Sequence, residues 1–266
     1  MYEFKFSRPA TVRQAANLLA KTEDAKLIAG GHTLVPVMKQ RLARPVQLID
    51  LSKIEGLDTI EMKGRSLVIG AMARHASVAA SAVVKANAPA LANLASMIGD
   101  PAVRHMGTIG GSLANSDPAA CYPAAVLGLG ATITTNKRKI AADDFFKGLF
   151  ETALAPDELI TSVTFPSVKR AGYIKFKNPA SRFALVGVFV ADMGGSVRVA
   201  VTGAASCVFR AKEIEKALTA KFDPSAVPAG TVKADDLNSD LHASAEYRAH
   251  LITVMAKRAV TQALGQ

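Results

Sequence analysis

Lys26–Leu34 reads KLIAGGHTL, an apolar strand-like run that breaks directly onto paired glycines and then enters a helix-forming stretch. That order, strand, glycine turn, helix, is an α/β signature. Downstream, Thr33–Leu42 reads as a short helix with Pro36 in its first turn, where a missing N–H costs nothing. Upstream, Phe4 and Phe6 alternate with charged Glu3 and Lys5, as in a strand. Thr11 and Gln14 have capping-box spacing, and Val12, Ala15, Ala16 and Leu19 then share one helical face. Val46–Leu51 is another apolar strand, so the opening segment reads β-α-β-α-β.

A second block starts near Ile54. Leu67–Ala71, Ala131–Thr135, Ile140–Ala142 and Leu159–Phe165 read as strands, and Ala88–Ile98 as a helix with Leu91, Leu94, Ala95 and Ile98 on one face. Gly107–Gly111 reads as a glycine-rich turn, and Ala124–Leu129 is small and apolar. Asp143–Phe146 begins a short helix with acids in its first turn. The third block, from Tyr173, has three β-rich runs, Tyr173–Phe176, Ala184–Ala191 and Val197–Thr202, with Gly194 and Gly195 at a hairpin turn. Helices over Arg210–Thr219 and Ala243–Leu264 close the chain. The expected class is α+β: two α/β blocks, then a three-stranded antiparallel meander with helices.

Composition excludes several functions. Two cysteines in 266 residues, Cys121 and Cys207, make no disulfide framework and cannot ligate an iron–sulfur cluster; their separation excludes a zinc ribbon or a CxxC motif. Ala184–Ala191 and Pro123–Gly130, the longest apolar runs, fall short of the ~18 residues of a membrane helix, and MYEFKFSRPA has no apolar signal region. A cytoplasmic protein is expected. Lys and Arg total 32 against 22 Asp and Glu, a net charge of +10. A solvated surface accounts for such an excess. The densest run, Lys137-Arg138-Lys139, has no interleaved aromatics, so no nucleic-acid partner is expected.

Two glycine pairs carry the chemistry. Ala29-Gly30-Gly31-His32-Thr33 follows a strand, and Thr108-Ile109-Gly110-Gly111-Ser112 lies in the second block. Paired glycines let successive N–H groups converge on an anion, and two such nests could hold the two phosphates of a dinucleotide. Either pair alone is also what ordinary turns contain. GxGxxG and GxxxxGK[ST] are both absent, so a dinucleotide would not bind in Rossmann fashion. The five histidines lack HExxH spacing, and there is no GxSxG elbow. Asp143, Asp144 and Glu61 read as caps and surface, and the thiols as buried small residues.

Taken together, Ala29–Leu34, Arg104–Asn115 with Asp117-Pro118, and the tail motif Ser244-Ala-Glu-Tyr-Arg248 make the chain resemble the FAD-binding medium subunits of molybdenum hydroxylases, the xanthine dehydrogenase family. Within that family the likeness points to the aerobic carbon monoxide dehydrogenase branch, and it covers nearly the whole chain. The resemblance implies FAD-binding subdomains at 1–53 and 54–171 and a C-terminal flavoprotein domain at 172–266. It implies a large molybdopterin subunit and a small [2Fe–2S] subunit as partners, in a dimer of heterotrimers. Electrons would pass from the clusters through FAD to a quinone, oxygen or NAD⁺. Peripheral contact with a membrane is compatible with this arrangement.

The resemblance also assigns residues. Gly30, Gly31, His32 and Thr33 would hold the pyrophosphate, flanked by Ala29 and Leu34. Thr108, Gly110, Gly111 and Ser112, with Ile109 between them, would do so from the second loop. Leu159 or Ile160 would contact the cofactor through its backbone. Lys177 matches a lysine beside the flavin, where a cation tunes the ring. Cys121 stands thirteen residues after Thr108, where the family carries an aspartate; a thiol is a poor acceptor for sugar hydroxyls. No residue is assigned to substrate oxidation. Two other readings stay open on residues alone: a basic anion- or nucleic-acid-binding module without redox activity, and a free-standing flavin oxidase.

Overall fold

A computed structural model describes residues 1–265 of the chain. The opening segment contains β1 (Lys5–Ser7), α1 (Val12–Lys21), β2 (Ala25–Ile28), α2 (Leu34–Lys39) and β3 (Gln47–Asp50). The three strands pair in parallel, in the order β1-β3-β2. Thr11 caps α1, its hydroxyl accepting from Gln14 N–H at 3.2 Å. The Gln14 amide reaches back to Ala10 N–H rather than to that of Thr11, at 2.9 Å. Ala15 of α1, Ile49 of β3, and Leu51, Ile54 and Leu57 form a small core that Leu159 joins from far along the chain.

The next segment comprises β4 (Ile60–Lys63), β5 (Ser66–Gly70), α3 (His75–Ala80), α4 (Ala82–Asn87), α5 (Pro89–Ser96), α6 (Pro101–Met106), α7 (Ile109–Asn115), α8 (Tyr122–Gly128), β6 (Thr132–Thr135), β7 (Lys139–Ala141), α9 (Ala142–Phe145), β8 (Phe146–Gly148), β9 (Glu151–Thr152) and β10 (Ile160–Phe165). Five strands form an antiparallel sheet ordered β4-β5-β10-β6-β7; β8 and β9 make a separate hairpin. The strand that comes last in this segment's sequence, β10, therefore sits at the centre, and Leu159, just before it, is delivered to the first core. Two readings change. Gly110 and Gly111 lie in the first turn of α7 rather than in a turn. Ala124–Leu129 belongs to α8, whose residues are all buried; uniform burial leaves no periodic signal to read.

The last segment holds β11 (Arg170–Lys177), β12 (Ala184–Asp192), β13 (Val197–Thr202), β14 (Phe209–Arg210), α10 (Lys212–Ala220) and α11 (Ala245–Ala263). The antiparallel sheet has four strands, β11-β12-β13-β14, where the sequence suggested three. Strand β14 is two residues long, too short for an alternation pattern, and it takes Arg210 out of the expected helix. Strand β12 is buried along its whole length because both faces are covered. Val186, Val188 and Val190 face a core with α10 and α11, while Phe189 and Ala191 face the core shared with α5 and α8. The tail motif is architectural. Ser244 caps α11, and buried Arg248 donates to the carbonyls of Leu185 (2.8 Å) and Gly203 (3.0 Å) and to Asp240 (2.7 Å). No helix among the described residues is long and apolar enough to cross a membrane.

Candidate functional site

A cavity of about 510 Å³ opens between the parallel sheet and the helices of the second segment. Ala29, Gly30, Gly31, His32, Thr33 and Leu34 line it, as do Thr108, Gly110, Gly111 and Ser112. Leu159 and Ile160 also line it. The two glycine loops, far apart in sequence, therefore abut one another and line one space together.

They are not equivalent. In the first loop, the N–H groups of Gly30, Gly31, His32 and Thr33 donate to no acceptor among the described residues. Gly31 has φ +72°, a left-handed turn of the kind from which consecutive amides can converge on an anion. In the second loop the amides are already engaged. Ile109 N–H donates to Ala73 O (3.0 Å), Gly110 N–H to Ala71 O (2.8 Å) and Gly111 N–H to the Thr108 hydroxyl (3.1 Å). This departs from the symmetric expectation of two backbone nests. The second loop gives the cavity a closely packed wall, and Ile109, expected among the cofactor contacts, is buried in the core instead. Gly30 holds the loops together: a Cβ there would overlap the Met106 carbonyl and come within 2.8 Å of Gly107 Cα.

Three further expectations meet a different geometry. Leu159 has both backbone groups engaged with Asn136, at 2.9 and 3.0 Å, so its N–H is not free to donate to a cofactor. Lys177 is exposed at the end of β11 and lies outside the cavity lining; the lysine in the lining is Lys26. Cys121 is buried and also outside the lining, with its Sγ 3.4 Å from Lys175 Nζ. Lys175 is itself buried and has a second contact to the Met97 carbonyl at 2.8 Å, but no carboxylate partner among the described residues. Cys121→Asp supplies that partner. The variant is expected to gain about 1–2 kcal/mol in urea unfolding, the scale of a charge-assisted hydrogen bond at a buried site. An unchanged unfolding midpoint would contradict the pairing.

Residues that the sequence gave no reason to single out complete the site. His75, at the start of α3, lines the cavity and is 5% exposed. Burial, helped by the positive charge of His32 and Arg104, lowers its pKa to about 4, so it is neutral near pH 7. Its Nδ1 has no partner, and its ring packs on Tyr122 with centroids 5.3 Å apart. Glu158 is held by Arg138 (3.0 and 2.9 Å), by Thr135 Oγ1 (2.6 Å) and by Ala155 N–H (3.0 Å). The hydrogen bond from Arg138 is the main cause of its pKa falling to about 2, so this anion is fixed in the cavity lining. Asp117, already part of the motif that carries the resemblance, also lines the cavity, and Phe183 stands half-exposed in the lining. None of these is marked by glycine spacing; an ordinary His, Glu or Phe becomes a site residue only through burial beside the space.

The site fits a dinucleotide by its own features: unpaired consecutive amides, a glycine approach that a Cβ would close, and mostly apolar walls. A domain family described as the FAD binding domain in molybdopterin dehydrogenase matches residues 2–168. The CO dehydrogenase flavoprotein C-terminal domain matches residues 172–263. The nicotine 6-hydroxylase medium subunit of Paenarthrobacter nicotinovorans is 36% identical, over 97% of this chain and 96% of the relative. The carbon monoxide dehydrogenase medium chain of Afipia carboxidovorans is also 36% identical, over 98% and 96%. Among solved structures, carbon monoxide dehydrogenase from Hydrogenophaga pseudoflava superposes with a TM-score of 0.92 at 35% identity, covering 99% of this chain and 98% of that one.

Proposed function

The chain belongs to the family of FAD-binding medium subunits of molybdenum hydroxylases, and on that premise we propose that it relays electrons, taking them from the [2Fe–2S] clusters of a small partner subunit and passing them to an external acceptor. One observation carries the reading: Gly30 to Thr33, four consecutive residues whose N–H groups have no acceptor among the described residues, line a cavity together with the second glycine loop. Bound there, FAD would supply a centre able to exchange electrons with iron–sulfur clusters on one side and with a quinone, oxygen or NAD⁺ on the other.

The chain's own residues do the holding. The amides of Gly30, Gly31, His32 and Thr33 bind the pyrophosphate as a nest. The Asp117 carboxylate, also in the lining, can accept from sugar hydroxyls, the task that Cys121 cannot perform. Leu27, Ile28, Leu51, Met72 and Ile98 exclude water from the space between. Neutral His75 adds no charge to that wall. Substrate chemistry lies on the large molybdopterin subunit, consistent with two relatives named for nicotine and for carbon monoxide being equally similar to this subunit. The three-part division at 1–53, 54–171 and 172–266, a cytoplasmic location and a dimer of heterotrimers belong to the same proposal.

The test is direct. The purified chain, incubated with FAD and desalted, is expected to keep stoichiometric yellow flavin. In the three-subunit complex, adding substrate should bleach that flavin after the clusters are reduced. A colourless chain that takes up no FAD would overturn the proposal, and salt-sensitive DNA binding by such a chain would favour the basic-module reading instead.

A further inference from the structure

Beside the cavity, but outside its lining, three buried reactive side chains meet that the cofactor site does not use. Lys175 projects from β11, and its Nζ donates to the Met97 carbonyl at 2.8 Å and to Cys121 Sγ at 3.4 Å. Cys121 is 5% exposed and Lys175 9%. Tyr173, two residues earlier on the same strand, is fully buried; its hydroxyl has no hydrogen-bond partner and neighbours the same thiol. Met97 and Cys121 adjoin Ile98 and Ala120, both of which line the cavity.

Ordinary packing does not account for this group. A buried ammonium is normally matched by a carboxylate, and Lys175 has none among the described residues. An apolar side chain would fill the same space without the cost of burying the charge. What the amine has instead is a sulfur at contact distance. A thiol oxidised to sulfenic acid is electrophilic at sulfur, and a nitrogen held against it can condense with it. The aspartate that the family carries at this position could pair with the amine but not bond to it. The orphaned Tyr173 hydroxyl supplies the third requirement, a proton donor for the oxygen that must leave.

We propose that Cys121 and Lys175 form a peroxide-driven covalent switch, closing into a sulfenamide bond that thiol reductants reopen. Hydrogen peroxide oxidises the Cys121 thiol to sulfenic acid; one oxygen passes to sulfur and the other leaves as water. The Lys175 amine, as free base, then attacks Sγ, and the S–O bond breaks as the N–S bond forms. Tyr173 protonates the departing hydroxide, which leaves as a second water, and regains a proton from the nitrogen. One peroxide is reduced to two waters, and the thiol–amine pair is oxidised by two electrons. On the flavin reading above, oxygen serving as acceptor would leave as peroxide close to this wall. The bond would then fasten β11 to the segment that precedes α8.

The experiment uses the full chain, reduced, freed of reductant and treated with hydrogen peroxide, then alkylated in denaturant and mapped by mass spectrometry. The peptides carrying Cys121 and Lys175 are expected to be joined, about 2 Da lighter than their sum, and to separate again with dithiothreitol. Cys207, partly exposed, reports the oxidation of an ordinary thiol in the same sample. Lys175→Arg keeps the charge but removes the nucleophilic amine. In it, and in Lys175→Gln, Cys121 should pass on to sulfinic acid, and the fraction recovered by dithiothreitol should fall ~10-fold. A thermal melt of each variant checks the fold. The proposal is overturned if wild-type Cys121 ends as sulfinic acid, pairs with Cys207, or stays unreacted where Cys207 is oxidised. Equal recovery in wild type and Lys175→Arg overturns it as well. Because the peroxide is added, a chain that forms the bond but holds no FAD would overturn the flavin reading alone.

Discussion

Gly30→Ala is expected to yield a chain that folds but holds almost no FAD. The added Cβ meets the Met106 carbonyl and Gly107, which are main-chain atoms and cannot rotate aside. The first glycine loop has to move off the second, and the row of amides from Gly30 to Thr33 loses its alignment. Forcing such an overlap costs about 3 kcal/mol, equivalent to ~100-fold in the FAD dissociation constant. Gly195→Ala is the control: nothing lies within 4 Å of its added Cβ, so FAD binding and stability should stay as they are. Fluorescence titration with FAD, alongside a thermal melt, separates loss of the nest from loss of the fold. Wild-type affinity in Gly30→Ala would mean that the two loops are not braced against one another.

The second large effect is on acid stability. His75 takes up a proton only near pH 4 in the folded chain, against 6.5 when unconstrained, because its ring is buried beside His32 and Arg104. Between those values the unfolded chain binds more protons than the folded one. Stability is therefore complete above the unfolded value and drains away as the pH falls toward 4. From roughly pH 7 to pH 5 the loss from this one group is about 2 kcal/mol. Urea unfolding at the two pH values should show that drop in the wild type and a much smaller one in His75→Asn, which cannot titrate. Because His75 lines the cavity, FAD should be released over the same range. An equal slope in both proteins would place the acid sensitivity elsewhere.

Much of this was legible from residues. The run KLIAGGHTL, with a strand before the glycines and a helix after them, was enough to place the first loop, and the structure keeps that order within a residue or two. The meander was legible because β12 and β13 are long and rich in β-branched residues. Strand β14 and helix α8 were not, the one too short to alternate and the other buried on every side. Site residues divide in the same way. Glycine pairs announce themselves by spacing. His75 and Glu158 do not, because burial and partners brought from Arg104, Arg138 and Thr135 give them their character.

By itself the sequence determined what local chemistry can write: the first glycine turn, the cap at Thr11, and the family to which the chain belongs. Its two cysteines also determined that iron–sulfur chemistry cannot reside on this chain. The tertiary structure alone decided that the two glycine loops differ in task. Whether an amide is free depends on which carbonyl folds back to meet it, and Ala71 and Ala73 arrive at the second loop from the end of β5, while no acceptor among the described residues meets the amides of the first. It also decided that Cys121 answers to Lys175 rather than to the cavity, and that Arg41 and Arg44 gather over the Tyr2 ring. Such relations are distances between residues remote in sequence, and they exist only once the chain has closed on itself.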